Sequence, residues 1–92
     1  MARYRLILHK QAAKFLRALP LRVQERVRAK LDTLVEAPYG TGGLDVRPML
    51  GEEGLWRLRV GSIRVIYEVQ DERLVIYVLT MGNRGDVYKK RG

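Results

Sequence analysis

The stretch that most constrains the fold of this 92-residue chain is "LWRLRVGSIRVIYEV", residues 55–69. Apolar and polar residues alternate on both sides of Gly61-Ser62, a pattern typical of two strands joined by a two-residue hairpin turn. Glycine in the first central position favours a type II′ turn. Because the turn fixes the register, the segment predicts a β-hairpin in which Arg59 lies directly opposite Arg64.

The predicted register divides the hairpin side chains between two faces. The apolar face should meet the rest of the core and consists of Trp56, Leu58, Val60, Ile63, Val65 and Tyr67. The other face takes Arg57, Arg59 and Arg64 and is expected to be an exposed arginine patch. Like charges directly opposite each other on paired strands are destabilising by about 0.2–1 kcal/mol, so folding alone gives no reason for this pairing. The ordinary alternative is a solvent-facing strand whose arginines pair with acids elsewhere, such as Glu68.

The rest of the chain supplies partners for this hairpin. Its pattern predicts a strand at 3–8, a helical hairpin at 10–19 and 21–36 broken at Pro20, a glycine-rich connector at 37–54 with a brief strand near 44–47, and a last strand at 73–81. The third meander strand should bring Thr80 and Met81 beside Ile63 and Arg64. We therefore predict one α+β domain over 1–92, with an N-terminal strand, a helical hairpin and an antiparallel β-meander.

Composition excludes several kinds of site. There is no cysteine and a single histidine, so disulfides, thiolate zinc sites and histidine metal clusters are not available. No apolar run reaches the roughly 18 residues that a membrane span needs. We expect a soluble, cytoplasmic protein with no membrane association, no metal and no cofactor.

The charge balance indicates a polyanionic partner. The chain carries 18 Lys and Arg against 10 Asp and Glu, a formal net charge of +8, and thirteen of the bases are arginine. Arginine binds phosphate in a bidentate geometry that lysine does not offer. Charge alone favours RNA or DNA first and a membrane surface second, and we expect nucleic acid and not a membrane to be the partner. Arg84 and Tyr88 follow the last predicted strand and should reach the rim of the arginine patch, which predicts a phosphate site with one proton-transfer group.

At these residues, "WRLRVGSIRVIYEV…YVLTMGNRGDVYKK" resembles the RelE/ParE superfamily of bacterial and archaeal toxins, and within it the ribosome-dependent mRNA interferases of the RelE type. The resemblance covers nearly the whole chain. It implies a RelE-like fold and the toxin of a type II toxin–antitoxin system, a metal-independent endoribonuclease that cuts mRNA on the ribosome. It also implies a cognate antitoxin, through which the toxin–antitoxin complex would bind operator DNA.

The resemblance also assigns roles to single residues. Arg57 and Arg59 would bind the phosphate, while Lys89 and Lys90 would follow the RNA backbone. The catalytic residues would be Arg64, Arg84 and Tyr88, with the tyrosine as general base. Arginine stays charged in proteins, so the basic residues at 57 and 59 are not expected to exchange a proton. Two alternatives stay open: a gyrase inhibitor of the ParE branch without nuclease activity, and a catalytically inactive relative.

Overall fold

The computed structural model describes residues 3–40 and 43–83, which form five strands and two helices. In chain order these are β1 (Arg5–Leu8), α1 (Lys10–Arg17), α2 (Leu21–Leu34), β2 (Asp45–Pro48), β3 (Leu55–Val60), β4 (Ile63–Gln70) and β5 (Val75–Asn83). All strands join one sheet in the order β1-β5-β4-β3-β2. The predicted α+β arrangement of a strand, a helical hairpin and an antiparallel meander is confirmed.

The N-terminal strand pairs with the last one. β1 runs parallel to β5, with Arg5 opposite Val75 and Leu8 opposite Val78. A parallel neighbour requires a crossover connection, and the helical hairpin begins that crossover directly after β1. Sequence periodicity does not reveal this pairing because it joins segments seventy residues apart.

Each helix begins at a residue suited to that position. The His9 side chain accepts a hydrogen bond from the Gln11 amide at 3.3 Å and so caps α1. Pro20 directly precedes α2, and its carbonyl accepts from the Gln24 amide at 2.9 Å. The apolar stripes predicted for both helices are buried against the sheet face that carries Leu58, Val65 and Tyr67, and they contribute Ala12, Leu16, Val27, Leu31, Leu34 and Val35 to the core. Neither helix is long and apolar enough to cross a membrane.

The hairpin between β3 and β4 has the predicted geometry. Gly61 has φ of +61°, and Ser62 is not among the residues with positive φ, which is the pattern of a type II′ turn. Arg59 lies opposite Arg64, and the other five residue pairs of the two strands match the predicted register. Two-residue turns leave no freedom for a register slip, which is why local sequence is sufficient here.

The predicted position of β5 is wrong by about two residues. Ile63 faces Asn83 and Arg64 faces Gly82, and the strand continues to Asn83 where we expected it to end at residue 81. The turn before β5 takes residues 71–74, one more than expected, and the pairing skips Leu79 at an irregularity between Ile66 and Tyr67. A β-bulge of this kind adds a residue to one strand only.

A side chain from α1 satisfies the backbone beside this bulge. The Gln11 Oε1 atom accepts from the Thr80 hydroxyl at 2.7 Å and from the Met81 amide at 3.4 Å, and its Nε2 donates to the Met81 carbonyl at 3.4 Å. Polar groups near a core need such partners, because leaving one buried and unpaired costs about 1–3 kcal/mol. The bulge is therefore held by the helix packed on it.

The connector before β2 is fixed by tyrosines. The buried Tyr67 hydroxyl donates to the Pro38 carbonyl at 2.7 Å. Tyr39 and Tyr4 both donate to the Asp71 carboxylate, each at 2.6 Å, and we call these three residues the tyrosine clamp. The Tyr39 ring also meets the Trp56 ring edge-on, with centroids 5.1 Å apart. The clamp thus ties the N-terminus, the connector and the β4–β5 turn together.

Candidate functional site

Four arginines share the sheet face opposite the helices. The β3–β4 register places Arg59 opposite Arg64, and the β2–β3 register places Arg47 opposite Arg57. Side chains alternate along a strand, so all four point to the same side, which we call the arginine face. Arg57, Arg59 and Arg64 were predicted to share this face.

Arg47 was not found by sequence reasoning. Its place follows from pairing between β3 and β2, the short strand that lies within the glycine-rich connector. The sequence did carry a signal, because apolar Leu44 and Val46 alternate with polar Asp45 and Arg47, and both apolar residues pack on the core in the structure. Alternation within this short strand therefore indicates the side on which Arg47 lies.

Exposure of the arginines differs along the face. Arg59 and Arg47 are exposed, the Arg57 side chain is 16% exposed, and Arg64 is only 8% exposed. The prediction of an exposed patch is therefore wrong for Arg64 and largely wrong for Arg57. Arg64 lies on β4, which has strands on both sides, and its same-face neighbour Ile66 is fully buried.

Arg57 is held by a carboxylate on the edge strand. Its Nη2 lies 3.0 Å from Asp45 Oδ1, while its Nε is buried without a hydrogen-bond partner in the part of the chain that the structure describes. The ordinary alternative of ion pairing thus applies to Arg57, but with Asp45 and not with Glu68. Glu68 instead accepts from the Gln70 amide group at 3.0 Å.

Arg59 leans toward the hairpin turn. Its Nε donates to the Gly61 carbonyl at 3.4 Å, a long hydrogen bond, and its terminal nitrogens have no hydrogen-bond partner among the described residues. Two arginine pairs directly opposite each other cost about 0.2–1 kcal/mol apiece. Asp45 pairs with Arg57, and a surface that carries four arginines beside this carboxylate can bind an anion such as a phosphate group.

The other predicted site residues cannot be placed. Arg84, Tyr88, Lys89 and Lys90 lie outside the described residues. The last described residue, Asn83, pairs with Ile63 beside the hairpin turn. Arg84 follows Asn83 directly in the sequence.

The clamp tyrosines and Tyr67 are poorly suited to accept a proton. Hydrogen bonding to Asp71 raises the pKa of Tyr39 to about 12 and also raises the pKa of Tyr4. Burial raises the pKa of Tyr67 as well. A general base must lose its own proton near neutral pH, so these hydroxyls are unsuited to that role. Across residues 3–40 and 43–83, no three His, Asp or Glu side chains come together as a metal site.

Comparison with known proteins identifies the family. A family model described as the ParE toxin of type II toxin–antitoxin systems matches residues 6–88. The chain belongs to the ParE toxin family. The resemblance to the RelE/ParE superfamily found in the sequence is thereby confirmed.

RelE proteins are among the relatives of this family member. It is 28% identical to the mRNA interferase toxin RelE of Escherichia coli over 91 residues, covering 95% of this chain and 92% of the relative. A chain of the archaeal RelE–RelB complex from Pyrococcus horikoshii is 35% identical, with a TM-score of 0.79 over 94% of this chain and 99% of that one. The isolated RelE toxin of E. coli superposes with a TM-score of 0.74 at 26% identity, covering 96% of this chain and 94% of the other. The α+β fold is therefore the fold of RelE toxins.

Proposed function

We propose that this family member is an endoribonuclease that cleaves mRNA on the ribosome, in the cytoplasm, as the toxin of a type II toxin–antitoxin system. The observation that carries the proposal is the arginine face, where the strand registers bring four arginines to one side of the sheet and Asp45 is ion-paired with one of them, Arg57. A folded sheet gains nothing from opposing arginines, whereas a phosphate bound there would remove the repulsion. The E. coli relative is named an mRNA interferase, which supports the same reading.

The proposed reaction is an in-line transfer at phosphorus. The RNA 2′-oxygen attacks the adjacent phosphorus, the bond to the 5′-oxygen of the next nucleotide breaks, and a 2′,3′-cyclic phosphate and a 5′-hydroxyl result. Arg57 and Arg59 hold the phosphate, and Arg47 extends the same cationic surface. Arg64 stabilises the negative charge that grows on the phosphate oxygens, which removes the need for a metal ion.

Proton transfer in this proposal falls to residues after β5. Tyr88 takes the proton of the attacking hydroxyl, and Arg84 stabilises the departing 5′-oxygen. The raised pKa of the clamp tyrosines and of Tyr67 supports this choice, because it disfavours these three hydroxyls as bases. An ordinary tyrosine pKa is about 10, and a cluster of arginines lowers it by favouring the phenolate.

The burial of Arg64 suits the role that we assign to it. A guanidinium with 8% exposure interacts with a nearby phosphate in a lower effective dielectric than a surface group would. It also lies on a strand paired on both sides, so its backbone does not need to rearrange as charge develops. Preorganised donors of this kind contribute about 100-fold or more to rate when they contact the transition state.

We further propose three partners: a cognate antitoxin, the ribosome and its mRNA. A cationic face on a chain of net charge +8 favours an antitoxin with an acidic or amphipathic segment. The P. horikoshii relative was solved as a RelE–RelB complex, which supports the same kind of partner here. The complex would bind operator DNA through the antitoxin, and the toxin itself is proposed to be one domain over 1–92.

Mapping cleavage tests this function. Purified protein is incubated with ribosomes that carry a defined mRNA, and the mRNA ends are mapped by primer extension. Cuts within the codon in the ribosomal A site, absent when ribosomes are omitted, are the expected result. DNA gyrase supercoiling is measured in parallel, because the matched family model is that of ParE toxins and leaves a gyrase inhibitor as the second candidate. Intact mRNA together with inhibited gyrase would support that second candidate. No effect in either assay would indicate a catalytically inactive relative.

A further inference from the structure

We infer that Asp45 is a positioning residue for Arg57, and that it also opposes the binding of phosphate in the ground state; this inference rests on the proposed function. Asp45 was not among the candidate residues found in the sequence. Its role follows from where β2 places its carboxylate on the arginine face.

The geometry gives Asp45 contact with one arginine and proximity to a second. Its Cα is directly opposite that of Arg59 in the β2–β3 register. Its Oδ1 lies 3.0 Å from the Nη2 of Arg57, which is two residues from Arg59 and so is the diagonal neighbour of Asp45. Diagonal neighbours on a sheet face are within reach of long side chains. Asp45 thus lies on the strand next to the two residues that we assign to phosphate binding, opposite one and bonded to the other.

The ion pair orients the Arg57 guanidinium. One terminal nitrogen is bonded to Asp45, and the Nε is buried without a partner among the described residues. A long side chain with several rotatable bonds loses freedom when one end of its fork is fixed. The remaining donors then have a defined direction before RNA arrives, which is the condition for transition-state stabilisation without reorganisation.

The carboxylate is itself attached to a fixed part of the fold. Gly40 approaches β2 so closely that a Cβ built there would lie 2.8 Å from the Cβ of Val46, the residue after Asp45. Just before this contact, the Pro38 carbonyl accepts a hydrogen bond from the Tyr67 hydroxyl at 2.7 Å. The edge strand and its carboxylate are therefore held by the core and do not depend on the ion pair for their position.

The same negative charge disfavours an incoming phosphate. Asp45 is 46% exposed, so an anion approaching Arg57 or Arg59 meets a carboxylate at the same surface. Asp45 therefore weakens binding of RNA while keeping Arg57 in the geometry that acts on the transition state. A residue with this pair of effects improves turnover at the expense of affinity.

Two substitutions separate the two effects. Asp45→Asn removes the charge but keeps an oxygen that accepts from Arg57, whereas Asp45→Ala removes both. We expect Asp45→Asn, which keeps Arg57 in place, to bind RNA about 3-fold more tightly, the size of effect typical of one partly exposed charge. Asp45→Ala should gain less affinity, because it also misplaces Arg57. We expect Asp45→Ala to lower the single-turnover cleavage rate about 10-fold through misplacement of Arg57, with Asp45→Asn within about 2-fold of wild type.

The matched control is a second ion pair, Arg3 with Glu36, at 3.3 Å and with both side chains more than half exposed. Glu36→Ala changes net charge by the same amount as Asp45→Ala, and it should leave cleavage and affinity unchanged. Affinity is measured by fluorescence anisotropy with an RNA oligonucleotide methylated at every 2′-hydroxyl, which cannot react. Thermal melts of each variant show that it is folded.

A double-mutant cycle with Arg57→Gln completes the test. If Asp45 acts through Arg57, Asp45→Ala lowers the rate in wild type but not in the Arg57→Gln background. Equal rate losses in both backgrounds, or a wild-type rate in Asp45→Ala, would overturn the positioning role. Unchanged affinity of Asp45→Asn for the methylated RNA would overturn the opposing role. A wild-type protein that leaves ribosomal mRNA intact would instead overturn the proposed function and, with it, the role of Asp45 in positioning Arg57 for catalysis. The affinity measurements would still decide whether Asp45 opposes phosphate binding.

Discussion

Arg64 combines a like-charged neighbour with a nearly buried position. Its cross-strand partner is Arg59, yet only 8% of Arg64 is exposed to solvent that could screen the repulsion. Hairpin alternation was sufficient to predict which face carries the side chain. It was not sufficient to predict burial, because burial depends on how closely the folded sheet packs around the side chain, and the same-face neighbour Ile66 is itself fully buried.

Arg64→Gln and Arg59→Gln form a matched pair for stability, since each removes one charge from the same cross-strand contact. We expect Arg64→Gln to lower the free energy of unfolding by about 1 kcal/mol, because it shortens a buried side chain. Arg59→Gln should stay within about 0.5 kcal/mol of wild type, as most exposed substitutions do. Urea unfolding of both variants measures the difference. Equal unfolding free energies would contradict the burial of Arg64.

The tyrosine clamp predicts a dependence of stability on alkaline pH. The pKa of Tyr39 is raised to about 12, first by its hydrogen bond to Asp71, so the folded state holds this proton more tightly than the unfolded state. The stability that this hydrogen bond contributes is fully present below the ordinary tyrosine pKa of 10 and is lost as pH rises through about 12. The melting temperature of wild type should exceed that of Tyr39→Phe by a constant amount from pH 6 to 9, and the gap should shrink above pH 10.

At acidic pH, stability depends on pH with the opposite sign. The same hydrogen bonds lower the pKa of Asp71 below its ordinary value. The stability that Asp71 contributes is therefore present above that value and is lost as pH falls through the folded pKa.

Tyr77→Phe serves as the control for Tyr39→Phe, because the Tyr77 hydroxyl has no hydrogen-bond partner among the described residues. A gap between wild type and Tyr39→Phe that persists unchanged above pH 11 would argue against the clamp.

At the scale of elements, local patterns and long-range pairing differ in what they reveal. The helical stripes and the hairpin register follow from neighbouring residues, and both were predicted correctly. The β1–β5 pairing, the bulge at Leu79 and the register of β2 each depend on segments distant in sequence. Asp45 and Arg47 were missed for that reason, since only the β2 register brings them to the arginine face.

The close contact between the connector and β2 predicts that a side chain at Gly40 destabilises the protein more than one at Gly54. Gly40 has φ of +91° and no room for a Cβ beside Val46, whereas Gly54 has φ of +84° and open space around it. We expect Gly54→Ala to cost about 1 kcal/mol for its backbone conformation alone. Gly40→Ala should cost about 2–4 kcal/mol, because overpacking is added to the same strain. Urea unfolding of the two variants makes the comparison, and equal losses would contradict close packing of the connector on β2.

At the scale of the whole molecule, net charge and its placement predict how RNA binding responds to salt. Each phosphate neutralised on single-stranded RNA contributes a slope of about −0.7 to log K against log salt concentration. Arg59→Gln should make this slope shallower by about that amount, because Arg59 is an exposed member of the arginine face. Arg22→Gln, an exposed substitution on α2 away from the face, should leave it unchanged. Anisotropy titrations at several salt concentrations give both slopes. Identical slopes in wild type and Arg59→Gln would place the RNA elsewhere.

If the arginine face accelerates cleavage of ribosome-bound mRNA, the loss of one arginine from it should slow the reaction, and Arg64→Gln removes the arginine that we assign to the transition state. The rate is measured in single turnover on programmed ribosomes, with the protein in excess and the mRNA ends identified chemically. We predict that wild type leaves a 2′,3′-cyclic phosphate and a 5′-hydroxyl, and that Arg64→Gln is slower by about 100-fold or more while remaining folded. A folded Arg64→Gln variant that cleaves at the wild-type rate would contradict the account.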